Sequence, residues 1–345
     1  MAKPGASRAG QPTLRDVAER AAVSAMTASR ALREDPRVLP ATRERVLAAV
    51  AELGYRPNKV ARSLRLGHGT GLVGVVVTNL ANPFYSRLAL GVDSVVGQQD
   101  LKTVIGNTAQ DPDRERSLVA DLVARRVDGI IAVPAGADQR HLAAAAAEGV
   151  PVVLASRPPV GFDADCVLVD DFGGARAGTE RLLAMGHRRI GFLGSPPAVY
   201  TGTERLRGYR AALRDADVPV DERYVRQGQR ETAEAAAAAG ELLALPDPPT
   251  ALFCSNNRNT IGAFRAISAA ATDTALAGFD DFELADALGL PLTLVAYDRD
   301  ELGREAARLL LDRMRHSKGT PAAPRRTVVP TTLVEYGARH VGPGA

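Results

Sequence analysis

Along the first sixty or so residues, apolar side chains recur every three or four positions; from residue 72 they gather in short unbroken runs. Leu14, Val17, Ala18 and Ala21 fall on one face of a short helix. Thr13 stands at its N-cap, with Asp16 three residues on in a capping-box position. Ala22 and Val23 give a tight turn, and Ser24 caps a second helix running to Leu32, with Ala28 and Leu32 facing inward. A third helix over about 40–53 is expected to bury Val46, Leu47, Val50 and Leu53. The later runs, 72–77, 102–106, 129–133, 151–154 and 166–169, are strands, separated by helical stretches such as 112–126 and 139–148. The alternation resumes with 189–193, 250–254 and 276–279. Alternating strand and helix predicts an α/β fold, a parallel sheet with helices on both faces, here in two halves of similar plan.

Charge sharpens the division between the helical segment and the rest. Residues 1–66 hold 13 Lys+Arg and 6 Asp+Glu, a net +7, while the remainder holds 30 and 34, a net −4. Positive charge is concentrated on the small helical module, where a polyanion would be bound. Two short helices joined by a tight turn form a helix-turn-helix, whose second helix enters the major groove with its early residues at the base edges. Those residues are Ala25, Met26, Thr27, Ser29 and Arg30, preceded by Ser24. Ala25 and Met26 can make only apolar contacts, for example with a thymine methyl. Arg30 can pair bidentately with guanine or hold a phosphate. Residues 1–11, rich in Gly, Pro and Ser, read as a disordered arm, and residues 67–71 as a flexible joint. The head proper is expected over 12–56 and a large core over 70–345.

The quoted residues resemble the lactose-repressor/galactose-repressor (LacI-type) transcription regulators. The likeness is carried by residues 13–18, 23–24, 27–32, 42–46, 53–58 and 61–64, and continues through the core at 74–77, 82–85, 128–131, 186–192, 205–213, 256–267 and 278–281. It covers nearly the whole chain in order. The resemblance implies a periplasmic-binding-protein-like core of two parallel-sheet α/β subdomains, one over 70–168 and 297–329, the other over 169–296 and 330–341. It also implies that 57–69 supplies a hinge helix and linker. Asn58, Ala61 and Arg62 would contact DNA there, and Leu64 would wedge into the central base step of the minor groove; from the head, Thr13 and Tyr55 would also contact the duplex. The chain departs from the family by placing Leu39, not Ser, at the cap of the third helix; Pro40 in the first turn compensates.

For the core the resemblance implies an effector cleft lined by Thr78, Asn79, Phe84, Tyr85, Ser156, Thr201, Arg205, Arg230, Asn256, Asp280, Tyr297 and Arg299. Two positions where the family often has Asp carry Ser156 and Asn257, and Arg230 stands where an aromatic ring often stacks on a sugar. These departures suggest an effector that is a sugar, sugar phosphate or sugar acid, with an anionic group clamped by Arg205 together with Arg230 or Arg299. The partners expected are double-stranded operator DNA, a small-molecule effector and a second copy of the chain in a homodimer. No leucine heptads follow residue 336 to suggest a tetramer.

Other classes fare worse. His68, His141, His187, His316 and His340 are scattered without metal-ligand spacing. Ser195 and Ser255 follow strands but lie in no Gly-x-Ser-x-Gly motif, and 191–195 lacks the Gly-x-Gly-x-x-Gly fingerprint. No catalysis, metal or cofactor is expected. A solute-binding protein of the same core fold is the alternative, but it would carry a signal sequence and no DNA-binding head. Two cysteines, Cys166 and Cys254, and no apolar run near 18 residues point to the cytoplasm and away from a membrane.

Overall fold

A computed structural model describes residues 12–55, 69–316 and 323–337. The chain divides into two compact units at Thr70 and Gly71. The first contains α1 (Leu14–Arg20), α2 (Ala25–Ala31) and α3 (Pro40–Leu53). Thr13 and Asp16 close a full capping box, and Ser24 accepts the Thr27 amide at 3.1 Å, so the first two helices begin where the sequence places them. α3 starts at Leu39 without a side-chain cap but with Pro40 in its first turn, and ends on Gly54 at φ +63°, a left-handed cap glycine.

The core of this head is small-residue packing: Val17, Ala18, Ala21, Ala28, Ala31, Val46 and Ala49 are buried, with Val50, Leu53 and Tyr55 against them. Leu47 does not join it and is 50% exposed. One residue along a helix turns the side chain by about 100°, so Leu47 cannot share the face of Val46, Ala49, Val50 and Leu53.

The second unit holds two six-stranded sheets. The first contains β1 (Leu72–Val77), β2 (Lys102–Asn107), β3 (Gly129–Ala132), β4 (Val152–Ala155), β5 (Asp165–Val169) and β11 (Arg326–Val329), in the order β11-β5-β4-β3-β1-β2. All its pairings are parallel. The second contains β6 (Ile190–Gly194), β7 (Val225–Gln227), β8 (Ala251–Cys254), β9 (Ala275–Phe279), β10 (Leu292–Ala296) and β12 (Thr332–Tyr336), in the order β12-β10-β9-β8-β6-β7. Only β12 runs antiparallel to its neighbour. Strands covered on both faces are continuous apolar runs, which is why β1 and β8 are buried along almost their whole length. The chain passes from one sheet to the other after β5, after β10 and after β11, so the two halves share three connections.

Helices α4 (Pro83–Val96), α5 (Pro112–Ala124), α6 (Arg140–Ala147), α7 (Asp171–Ala184), α8 (Tyr200–Asp215), α9 (Thr232–Leu243), α10 (Asn257–Ala270) and α11 (Arg299–His316) complete the unit. Three pairs cross so closely that only glycine fits. A Cβ on Gly303 of α11 would lie 2.1 Å from the Leu88 carbonyl of α4. One on Gly208 of α8 would lie 2.3 Å from the Phe172 carbonyl of α7, and one on Gly262 of α10 would lie 2.7 Å from the Thr232 carbonyl of α9. α11 also locks β5 to β11: the fully buried Asp165 accepts Arg313 at 2.6 and 2.9 Å and Arg325 at 2.9 Å. Burial alone would raise the Asp165 pKa, but these hydrogen bonds reverse the sign and hold it below the ordinary value.

Candidate functional site

On the head, the first turn of α2 presents Ser24, Ala25 and Met26 to solvent, Met26 at 63% exposure. Thr27 is half-buried, its hydroxyl 2.9 Å from that of Ser24; Ser29 and Arg30 follow on the same helix, also half-buried. Thr13 is exposed but committed to its cap, and Tyr55 packs against the head core. Asn58, Ala61, Arg62 and Leu64 lie outside the described residues, as do the arm and nearly all of the proposed hinge.

In the second unit a cleft of about 710 Å³, counting its open mouth, lies at the carboxyl ends of the strands. Ligands of open α/β sheets bind there because the strand ends and their loops converge. Thr78 and Asn79 follow β1, Ser156 follows β4, Asn256 follows β8, Asp280 follows β9 and Tyr297 follows β10; all line the cleft. Phe84, Tyr85, Thr201, Arg205 and Arg230 line it too. Arg299 does not: as the first residue of α11, its guanidinium turns away and donates to the Asp281 carbonyl at 2.8 Å. Residues not anticipated from the sequence complete the wall, among them Asn82, Gln110, Arg157, Ser195, Gln229 and Arg258. Most follow strand ends within three residues, which is the signal that would have found them.

Three of the lining residues hold left-handed backbone conformations, Gln110 at φ +62°, Ser156 at φ +64° and Asp280 at φ +68°. Such conformations are uncommon away from glycine and persist where surrounding structure fixes them. Here the Ser156 amide donates to the Val167 carbonyl at 2.7 Å and the Asp280 amide to the Val295 carbonyl at 3.1 Å. Asn256 caps α10 through the Asn259 amide and donates to the Ser195 hydroxyl at 3.0 Å. The two walls also touch: Asn82 and Asn257 exchange reciprocal amide hydrogen bonds at 3.1 and 3.2 Å, and Arg230 donates to Gln110 at 2.7 Å.

The buried charge of the cleft centres on Arg205. Its Nε donates to Asp171 at 2.8 Å, its Nη1 lies 3.5 Å from Asp280, and its guanidinium sits 3.6 Å over the Phe279 ring. Burial disfavours the Arg205 charge, yet Asp280 and Asp171 together outweigh it and raise its pKa above the ordinary range. Burial lifts the Asp171 carboxyl to about 6 against the pull of Arg205. The two directions are consistent: two carboxylates surround the one guanidinium, while the cost of burying Asp171 exceeds what its share of Arg205 returns. Tyr297 donates to Asp280 at 2.8 Å; burial and the Asp280 charge push its own pKa well up, so it remains a donor. Arg205 therefore has its charge met within the protein, which alters the clamp expected from the sequence. Gln229 keeps a buried side-chain oxygen that has no hydrogen-bond partner among the described residues, a free acceptor in the cleft wall. Among the described residues no group of three His, Cys, Asp or Glu could hold a metal ion, and no helix is long and apolar enough to cross a membrane.

The chain matches two families of known proteins. Residues 13–58 match "Bacterial regulatory proteins, lacI family", and residues 70–336 match "Periplasmic binding proteins and sugar binding domain of LacI family". The HTH-type transcriptional regulator CelR of Thermobifida fusca is 34% identical over 339 residues, covering 95% of this chain and 98% of its own. Among solved structures, a transcriptional regulator CelR–cellobiose complex aligns with TM-score 0.71 at 33% identity, over 95% of this chain and 100% of that one. The lac repressor dimer bound to operator and the anti-inducer ONPF aligns with TM-score 0.79 at 28% identity, over 94% and 98%.

Proposed function

The chain belongs to the LacI family of bacterial DNA-binding regulatory proteins, and we propose that it is a repressor that binds a palindromic operator as a dimer and is controlled by a carbohydrate-type effector in the cleft. One observation carries this reading: a helix-turn-helix head and a polar strand-end cleft occur in a single chain. Neither part alone would suffice, since the fold of the core is compatible with many ligands and roles. The relatives agree in kind. One is complexed with cellobiose, and another is a dimer on its operator.

On this reading the α2 residues Ala25, Met26, Thr27, Ser29 and Arg30 meet base edges, with Thr13, Ser24 and Tyr55 supporting them. Asn58, Ala61, Arg62 and Leu64 serve the hinge, Leu64 as the minor-groove wedge. Thr78, Asn79, Ser156, Thr201, Asn256, Asp280 and Tyr297 meet the effector's hydroxyls, over an aromatic floor of Phe84 and Tyr85. A second copy of the chain supplies the two-fold symmetry that a palindrome requires. The edge strand β2 exposes Val104 and Ile105, and Leu90 of α4 is 59% exposed, apolar groups available to that pairing. Binding without turnover and a cytoplasmic setting complete the reading.

The test is selection of duplexes from a random pool by the full-length protein. An inverted repeat should emerge, with half-sites whose centres are one helical turn or a multiple of it apart. Recovery of unrelated or non-symmetric sequences would overturn the proposal.

A further inference from the structure

Three buried ionic side chains meet beside the cleft. Asp171 opens α7, Arg205 stands on α8 and Asp280 follows β9; none of their side chains is more than 6% exposed. Two carboxylates and one guanidinium leave one negative charge unmatched, and burial makes such a charge costly. The guanidinium is too firmly held to move and relieve it. Its Nε donates to Asp171 at 2.8 Å, its Nη1 donates to the Ser255 carbonyl at 2.5 Å, and its flat face lies against the Phe279 ring. The helices that carry Asp171 and Arg205 are themselves locked together at the close crossing of Gly208 on Phe172.

A proton is the remaining means of relief, and Asp171 is the acid placed to take it. Asp280 has two donors, Tyr297 at 2.8 Å from Oδ1 and Arg205 at 3.5 Å from Oδ2. Asp171 has one, on Oδ1; its Oδ2 is buried and has no hydrogen-bond partner among the described residues. A carboxylate short of donors is the easier one to protonate. Burial outweighs Arg205 and lifts the Asp171 carboxyl to about 6. The other titratable groups that act on it are Glu204 and Tyr200 of α8 and Tyr297 after β10. On its own helix Asp170 accepts the Gly173 amide and Arg176 pairs with Glu180. Of the strands packed on α7, β8 brings only Cys254, which belongs to the core on the other face of the sheet. β12 brings Glu335 and Tyr336, engaged by Arg181 and Asp281.

Arg205 and Asp280 line the cleft, whereas Asp171 stands behind them and does not. A carbohydrate that fills the cleft removes water from those two, and the unmatched charge beside them becomes harder to hold. We infer that Asp171 is a positioning residue that fixes Arg205 and takes up a proton as the effector binds, so that effector affinity rises as pH falls. The inference rests on the cleft being the effector site. Asp171 needs no contact with the ligand, because its carboxyl acts through Arg205. A group that holds its proton more firmly in the complex than in the free protein strengthens binding at low pH. That gain is lost as pH rises through the value the group has in the complex.

The experiment is titration calorimetry of the full chain from about pH 5 to about pH 8. The probe is whichever neutral sugar among glucose, galactose, ribose and cellobiose raises the thermal midpoint most. Each titration is run in two buffers of different ionisation enthalpy, which counts the protons exchanged. Wild-type affinity should fall roughly three- to tenfold over that range, matching an equal rise in the proton affinity of Asp171 in the complex. Binding should take up a fraction of a proton per site, most between about pH 6 and 7. Asp171→Asn keeps an oxygen for the Arg205 Nε but cannot titrate, so its affinity should stay near the low-pH value of wild type throughout, without proton uptake. Glu204→Gln should keep the wild-type profile. Infrared difference spectra of wild type read the same event if the Asn variant does not fold: a carboxylic-acid carbonyl band should grow as the sugar is added. The inference is overturned if wild-type affinity is flat or rises with pH, if no proton is taken up, if no such band grows, or if Asp171→Asn keeps the wild-type profile. A sugar bound equally well at every pH leaves the cleft as the effector site and removes only this assignment. If none of the four raises the midpoint, both fall.

Discussion

At the scale of single residues, chemistry decides more than position does. Arg30 is the one charged side chain among the α2 residues proposed to meet base edges, so its role can be isolated. If it pairs with a guanine, Arg30→Ala should weaken binding to the selected duplex by about 1–3 kcal/mol and relax the preference at one base pair. An equal loss on every sequence would make it a phosphate contact instead. Asp171 offers a second test. Its pKa in the folded protein is raised from an ordinary 3.8 to about 6, so the folded state holds a proton more firmly than the unfolded chain does. The stability from this group is therefore fully present below about pH 4. It is lost as pH rises to 6, a change on the order of 3 kcal/mol. Asp171→Asn should flatten that part of the profile, so the wild-type-minus-variant difference in unfolding free energy should move between pH 4 and 7. A constant difference would mean that Arg205 keeps Asp171 ionised throughout. The absence of Arg299 from the cleft also belongs to this scale. Two residues beyond Tyr297, the chain has entered a helix, and its periodicity carries the side chain off the cleft wall.

At the scale of elements, the parts most legible in the sequence were those with a single clear period. The three head helices and the buried strands β1, β3, β4, β8 and β9 lie within a residue or two of the apolar runs that announce them. The short strand β7, Val-Arg-Gln, is only half-buried and shows neither an apolar run nor alternation, so nothing in its composition marks it. β11 and β12 are edge strands of mixed composition whose sheet membership depends on the crossovers between halves. The cleft was legible where a resemblance supplied a position, as at Asn256 and Asp280. At Gln110, Arg157 and Gln229 the only signal was a place within three residues of a strand end, and which of such residues face the cleft depends on loop conformation. The contact between α4 and α10 shows the same thing: Asn82 caps one helix, Asn257 opens the other, and their reciprocal amides join the two walls. Asn82→Ala strands the buried Asn257 amide and should cost about 1–3 kcal/mol of stability. A double-mutant cycle with Asn257→Ala should return a coupling of roughly 0.5–3 kcal/mol. Additive single losses would show that the two amides act independently and that the walls are held elsewhere.

At the scale of the whole molecule, charge and connectivity agree on a division of labour. The basic segment is small and carries the helix-turn-helix, while the acidic remainder builds the ligand cleft. The chain crosses between the two sheets three times, so each half of the core is tied to the other by the same three connections. A ligand that binds one arrangement better shifts the population toward it and can do no more than its differential affinity allows. Reciprocity follows: whatever factor the effector imposes on operator affinity, the operator imposes on effector affinity. On this division the cleft governs the head. Its most direct test is the affinity of the full-length protein for its selected duplex, measured with and without a saturating carbohydrate that stabilises the protein in thermal melts. Duplex affinity should change by about 5- to 150-fold in either direction, with an equal change in carbohydrate affinity when the duplex is bound. Unchanged duplex affinity, with the cleft demonstrably occupied, would contradict it.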